Sequence, residues 1–292
     1  MEVFWILPQC SIDLAAGAQS PCAAPVTVAL MKDKNALPDW PYPRWIAHRG
    51  AGTLAPENTL AALRLGASWG YRMFECDVKL SSDGVPFLLH DDTLTRTTSG
   101  SALPAAADPV AGHQTWHTLS QLDAGGWHSA AYAGEPLPTL EAIAGFCIAN
   151  GYLLNIEIKP TVGTERHTGE VVAQHVARLW QGAAVPPLLT SFEIAALEGA
   201  LAKHPELPRG LLIHALEDQG WAQWLGHATR LQCQAIVCNH ALWDVESVAL
   251  AKTSGFRLLS YTVNDQQEAQ RLLDLGTDGL ITDRVNEFKP AC

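Results

Sequence analysis

Two pairs of charged residues share an i, i+2 spacing, Glu75-x-Asp77 and Glu157-x-Lys159, and each directly follows or ends an apolar run. On an extended strand that spacing turns both side chains of a pair to one face. Three carboxylates gathered on such a face repel one another, and a hard divalent cation keeps all three ionised at neutral pH. Glu75, Asp77 and Glu157 are therefore candidate ligands for Mg²⁺ or Ca²⁺, with open positions for water and substrate oxygens. Arg49 and Lys159 offer charge-assisted contacts to a phosphoryl group that the same ion would polarise. Of two histidines, His48 and His90, one can take a proton from an attacking oxygen while the other gives one to a departing alkoxide. That pairing suits cleavage of a phosphodiester, whose alkoxide leaves poorly unless protonated.

These residues must be brought to one place by the chain around them. From Trp45 onward, eight apolar strand-like runs alternate with amphipathic stretches: 45–48, 73–77, 152–158, 187–191, 210–214, 235–239, 257–263 and 279–282. Helical spacing is clear over 59–69, 168–181, 193–203, 244–254 and 266–275. Eight strands with intervening helices predict a TIM-type (β/α)8 barrel, whose active site lies at the C-terminal ends of the strands. His48-Arg49, Glu75 with Asp77, and Glu157 with Lys159 all fall at such ends, as do Phe192 and Tyr261, candidates for an apolar wall against substrate carbons.

One stretch breaks the alternation. Ser81 to Gly84 can make only a tight reversal, so residues 85–90 return antiparallel to the second strand. Pairing Leu80 with Val85 sets His90 opposite Glu75. Residues 78–138 then read as a small insertion over the barrel mouth.

Composition narrows the alternatives. The chain has 292 residues, 48% of them hydrophobic, which suffices for one large core. A formal net charge of -11 argues against nucleic acid as a partner. Seven cysteines without a CxxC pair read as reduced thiols, consistent with a cytoplasmic protein. No run of 18 apolar residues is present, and no basic amphipathic helix suggests stable membrane association. The Phe4-Trp5-Ile6-Leu7 run is interrupted by Pro8 and preceded by Glu2, which makes a poor signal peptide. Residues 1–40 are read as an extension, disordered or arising from an upstream start, and 41–292 as a single barrel domain. Oligomeric state has no signature.

The ordered strings His48-Arg49-Gly50, Pro56-Glu57-Asn58-Thr59, Glu75-x-Asp77, Asp83-Gly84, His90-Asp91, Leu94-x-Arg96-Thr97, Asp123-Ala124-Gly125-Gly126-Trp127, Glu157-Ile158-Lys159-Pro160, Ser191-Phe192-Glu193, Tyr261-Thr262-Val263-Asn264 and Thr282-Asp283 closely resemble the glycerophosphodiester phosphodiesterase family. The match spans about residues 41–285 and resembles most the cytosolic bacterial members. The resemblance implies a metal-dependent barrel enzyme that cuts small glycerophosphodiesters to sn-glycerol 3-phosphate and an alcohol. It carries metal ligation onto Glu75, Asp77 and Glu157, catalysis onto His48 and His90, and phosphate contact onto Arg49 and Lys159. Tyr261 and Cys76 depart from commoner family forms but leave those positions intact.

Blander readings stand beside these. Lys159 can serve as a structural partner of Glu157, Phe192 and Tyr261 as packing residues, and Asn58 as the N-cap of the first helix. The rival functions are another metal-dependent TIM-barrel enzyme and a non-catalytic binding barrel. Direct attack by water and attack by the substrate's own glycerol hydroxyl remain alternatives, as does the division of acid and base between the histidines.

Overall fold

A computed structural model describes residue 37 and residues 39–102, 108–216 and 218–290. The expected N-terminal extension lies, apart from its last few residues, outside the described residues. The eight barrel strands are β1 (Trp45–Ala47), β2 (Met73–Leu80), β4 (Leu153–Ile158), β5 (Leu188–Ser191), β6 (Arg209–Ile213), β7 (Ala235–Asn239), β8 (Arg257–Tyr261) and β9 (Gly279–Thr282). Their order is β1-β9-β8-β7-β6-β5-β4-β2, every neighbouring pair is parallel, and β1 also pairs with β2 through Ala47 and Phe74, which closes the ring. One short strand, β3 (Pro86–Leu88), pairs antiparallel with the outer part of β2. The helices are α1 (Leu60–Ser68), α2 (Trp116–Leu119), α3 (Leu140–Asn150), α4 (Glu165–Leu179), α5 (Ile194–Lys203), α6 (Trp221–Arg230), α7 (Val245–Thr253) and α8 (Gln266–Leu275).

Apolar residues from around the ring, among them Ile46, Met73, Leu188, Leu212, Val237, Leu259 and Ile281, meet inside the barrel and fill it. Tyr42 packs on that cluster, and its hydroxyl donates to the Pro186 carbonyl at 2.8 Å. Outward-facing strand residues such as Phe74, Cys76 and Leu154 pack against the helices. Thr59, Thr139, Asp244 and Asp265 cap the helices that follow them, each accepting a backbone N–H of the first turn.

The reversal after β2 differs from the expected register by one residue. Leu80 pairs with Pro86 rather than Val85, and Lys79 with Phe87. The loop is thus the three residues Ser82, Asp83 and Gly84, with Gly84 at φ +81°, a hairpin form that needs a left-handed last residue. Ser81 fixes it by accepting the Val85 amide at 2.8 Å and donating to Asp83 at 2.6 Å. The Leu89 amide therefore meets the Asp77 carbonyl, and His90 lies in a bend beyond the ladder instead of opposite Glu75.

From β3 to α3 the chain forms a small cap with its own apolar cluster of Phe87, Leu89, Leu94, Leu119, Leu122 and Leu137. Glu135 anchors the cap by accepting the Ala61 amide in the first turn of α1.

Candidate active site

The pairing of β2 with β4 builds the acidic cluster. In that parallel register Asp77 lies beside Glu157 and Glu75 beside Asn155, so the i, i+2 pattern of one strand meets that of the next. One ligand oxygen from each of Glu75, Asp77 and Glu157 falls within 4.8 Å of the others. The donor set is oxygen alone, which suits a hard cation. Glu75 Oε1 is buried and has no hydrogen-bond partner, while Oε2 accepts the Arg49 amide at 3.0 Å. An orphaned buried carboxylate oxygen costs more than a lost hydrogen bond unless something positive meets it, so the three residues fit a divalent ion.

Electrostatics agree with that fit. Burial, reinforced by the charges of Asp77 and Glu157, raises the Glu75 carboxyl well above its ordinary range. Burial and then Asp77 push Glu157 up to about 7. Burial would raise Asp77 as well, but Arg49, Lys159, His90 and the Asn58 amide outweigh it and hold that carboxyl low.

Loop geometry after β1 brings up the first histidine and the arginine. Arg49 takes φ +50° and Asn58 φ +59°, an uncommon region for side-chain-bearing residues that clusters at functional sites. Gly52, at φ +57°, is required, because a Cβ there would come 2.2 Å from the Asp283 carbonyl oxygen. His48 points Nε2 at Glu75 Oε2, 3.8 Å away, and holds Asp283 Oδ1 through Nδ1 at 2.6 Å. His90 holds Asp91 through Nδ1 at 2.8 Å. With each Nδ1–H donated to a carboxylate, each Nε2 is the free proton acceptor.

The cations stand between these groups. Arg49 reaches Glu57 at 2.9 Å and Asp77 at 3.3 Å, and Lys159 reaches Glu157 at 3.0 Å and Asp77 at 3.8 Å. His48, Arg49, Glu75, His90, Glu157, Lys159, Phe192 and Tyr261 line one cleft, and Asp77 lies beneath it, 1% exposed. All nine residues singled out from sequence thus converge. Phe192 and Tyr261 meet edge to face with centroids 5.8 Å apart, and the Tyr261 hydroxyl donates to the Ile213 carbonyl, so both pack as well as line the wall.

Several site residues were not among those candidates. Asn58 does not cap α1; Thr59 does, and Asn58 instead clamps Asp77, donating Nδ2–H to Oδ2 at 2.8 Å and accepting the Asp77 amide at 3.0 Å. Asp283, just beyond β9, backs His48 and accepts from Asn264 at 2.8 Å. Arg96 makes paired hydrogen bonds to Asp91 (2.6 and 2.8 Å) and to Glu57 (2.9 and 2.8 Å). Asn155 and His214 also line the cleft. Asp283 obeys the strand-end rule applied to the early strands, so extending that rule to β9 finds it.

Comparison with known proteins supplies the deciding observation. Residues 48–287 match the Glycerophosphoryl diester phosphodiesterase family. The chain belongs to this family. A glycerophosphodiester phosphodiesterase of Caldanaerobacter subterraneus is 29% identical over 238 residues, covering 82% of this chain and 93% of that protein. A glycerophosphodiester phosphodiesterase of Bacillus subtilis is 25% identical, covering 83% of this chain and 84% of the relative. Among solved structures, an Oleispira antarctica phosphodiesterase in complex with the product sn-glycerol-3-phosphate superimposes with a TM-score of 0.73 at 34% identity, covering 82% of this chain and 93% of that one. The barrel and the phosphodiesterase assignment therefore stand on the same stretch of chain that carries the cleft.

Proposed function

We propose that this family member hydrolyses small glycerophosphodiesters to sn-glycerol 3-phosphate and an alcohol, with Glu75, Asp77 and Glu157 holding Mg²⁺ or Ca²⁺ and with His48 and His90 moving the protons. The observation that carries the reading is the orphaned oxygen of Glu75 inside a three-carboxylate cluster, flanked by two imidazoles that are each backed by a carboxylate. When bound, the cation polarises a non-bridging phosphate oxygen. Every other part is protein chemistry. Arg49 and Lys159, now engaged with Glu57, Asp77 and Glu157, are positioned to turn toward the added negative charge of the phosphoryl group.

The neutral Nε2 of one histidine accepts the proton of the attacking hydroxyl, and the other, protonated, gives its proton to the leaving alkoxide. Asp283 and Asp91 fix the ring orientations and steady the imidazolium forms. Phe192, Leu212, Tyr261 and Ile281 give the cleft an apolar side for glycerol carbons. Such a substrate is small and water-borne. In keeping with this, no described helix is long and apolar enough to cross a membrane, and the acidic net charge disfavours nucleic acid. We place the protein in the cytoplasm, acting on diesters already released from lipid.

The test is alcohol release from a panel of glycerophosphodiesters before and after chelation, with Mg²⁺ or Ca²⁺ added back. Activity lost to chelator and restored by metal is expected; turnover indifferent to chelator overturns the metal assignment.

A further inference from the structure

The parallel pairing of β2 with β4 that builds the acidic cluster also sets Asn155 beside Glu75. Asn155 precedes Glu157 by two positions on β4, so alternation turns both side chains into the barrel, and neighbouring strands stand about 4.8 Å apart. Asn155 is 1% exposed and lines the cleft. Its Oδ1 accepts the Thr190 hydroxyl of β5 at 2.9 Å, which fixes how the amide is turned. That leaves Nδ2, which donates to no described residue. Unlike the orphaned Glu75 Oε1, it is not sealed from solvent, so it opens on the cleft that Asn155 lines.

A donor and an acceptor thus stand on adjacent strands without bonding each other. Partners of opposite sign complete them: a cation for the carboxylate and an anionic oxygen for the amide, whose N–H cannot ligate a cation. Arg49 and Lys159 are engaged with Glu57, Asp77 and Glu157. Nδ2 is already free and already held in place. A preorganised donor of this kind meets charge as it develops, with no reorganisation at the moment of reaction.

We propose that Asn155 is a further catalytic residue, its Nδ2–H donating to a non-bridging oxygen of the phosphoryl group at the Glu75, Asp77 and Glu157 cluster, and that Thr190 is the positioning residue that turns the amide this way. The inference rests on the hydrolase reading of the cleft. Thr190 is fully buried and lies beside Glu157 in the β4–β5 register, with its hydroxyl also 3.4 Å from the Ile156 carbonyl. Turned the other way, the amide would offer Oδ1 to the cluster as one more cation ligand. The two orientations make opposite predictions for Asn155→Asp, which keeps an acceptor for Thr190 but presents no donor.

The experiment compares the wild type with Asn155→Ala, Asn155→Asp and Thr190→Val, using melting as the folding control. It reads kcat and KM on glycerophosphocholine, Mg²⁺ affinity by calorimetric titration, and the affinity of the Mg²⁺-saturated protein for sn-glycerol 3-phosphate. In Asn155→Ala, kcat is expected to fall about 100-fold and sn-glycerol 3-phosphate to bind about 10-fold more weakly, with Mg²⁺ affinity unchanged. Asn155→Asp should lose at least as much turnover, and Thr190→Val should lose less than either. Thr190→Val leaves Asn155 in place and so decides the matter if Asn155→Ala fails to fold: unchanged kcat and product affinity there overturn the positioning role and the donor with it. Near-normal kcat in a folded Asn155→Ala overturns the proposal, as does an active Asn155→Asp with tightened Mg²⁺ binding, which makes the amide a cation ligand. A wild type that turns over no diester, yet binds sn-glycerol 3-phosphate more tightly than Asn155→Ala does, overturns the hydrolase reading and keeps the donor.

Discussion

Nδ1 of His48 lies 2.6 Å from Oδ1 of Asp283, so the first and last strands of the ring meet in one hydrogen bond at the active site. Burial alone would raise the Asp283 carboxyl, but the bond to His48 and its charge outweigh that and hold the group below its ordinary range. The carboxylate therefore stays ionised and keeps the His48 ring in the Nδ1–H form. Asp283→Asn is expected to lower kcat by at least ~10-fold with little change in KM, because an amide no longer steadies the imidazolium. Steady-state kinetics with circular dichroism as a folding control check this; a fall in KM-dependent binding alone would contradict it.

In the proposed mechanism, His48→Ala and His90→Ala each remove one end of the proton transfer. Turnover should drop at least ~100-fold in either variant while the melting transition is retained. Near-normal turnover in one of them would remove that histidine from the mechanism.

Arg96 joins Glu57 to Asp91, and so joins Arg49 to His90, through four hydrogen bonds of 2.6 to 2.9 Å. Its planar fork can hold two carboxylates at once, which an ammonium cannot. Arg96→Ala should reduce kcat about 10-fold, and Arg96→Lys should recover only part of that loss. Full recovery by lysine would mean that charge alone matters there.

Asn58 makes two hydrogen bonds to Asp77 and no cap. Asn58→Ala frees that carboxylate to rotate, and metal affinity should fall about 10-fold or more. Calorimetric titration with Mg²⁺ and Ca²⁺ reads this directly, and an unchanged affinity would make Asn58 merely a packing residue.

In the proposed reading, protons and a divalent cation compete for the same cluster. Glu157, with a folded-state value near 7 against an ordinary 4.5, binds its proton more tightly when folded. Without metal, its contribution to stability is full below the ordinary value and is lost as pH rises through about 7. Glu75 shifts in the same direction. The gain in melting temperature from saturating divalent metal should thus be larger near pH 8 than near pH 5.5, as scanning calorimetry would show; equal gains would place the metal elsewhere.

The barrel is legible in the sequence because each buried strand is a short apolar run, and the meeting of the three carboxylates is legible because alternation fixes which side chains turn inward. Glu75, Asp77 and Glu157 needed only that rule. The hairpin register lies one residue from the one local pattern predicts, since Ser81 ties the turn with side-chain bonds that the pattern does not reveal. Local pattern points to Asn58 as a cap, whereas its left-handed backbone and its reach to a residue 19 positions away depend on the folded chain. Asp283 lay in plain view at the end of β9, but its partner is 235 residues distant.

The cap between β3 and α3 has an apolar nucleus of its own, and it carries His90, whereas His48 belongs to the ring of strands. The two imidazoles thus ride on separately cohesive bodies. With His90 in its proposed role, a local opening of the cap would silence turnover and leave the eight-stranded cylinder standing, so activity would be lost on heating before the fold.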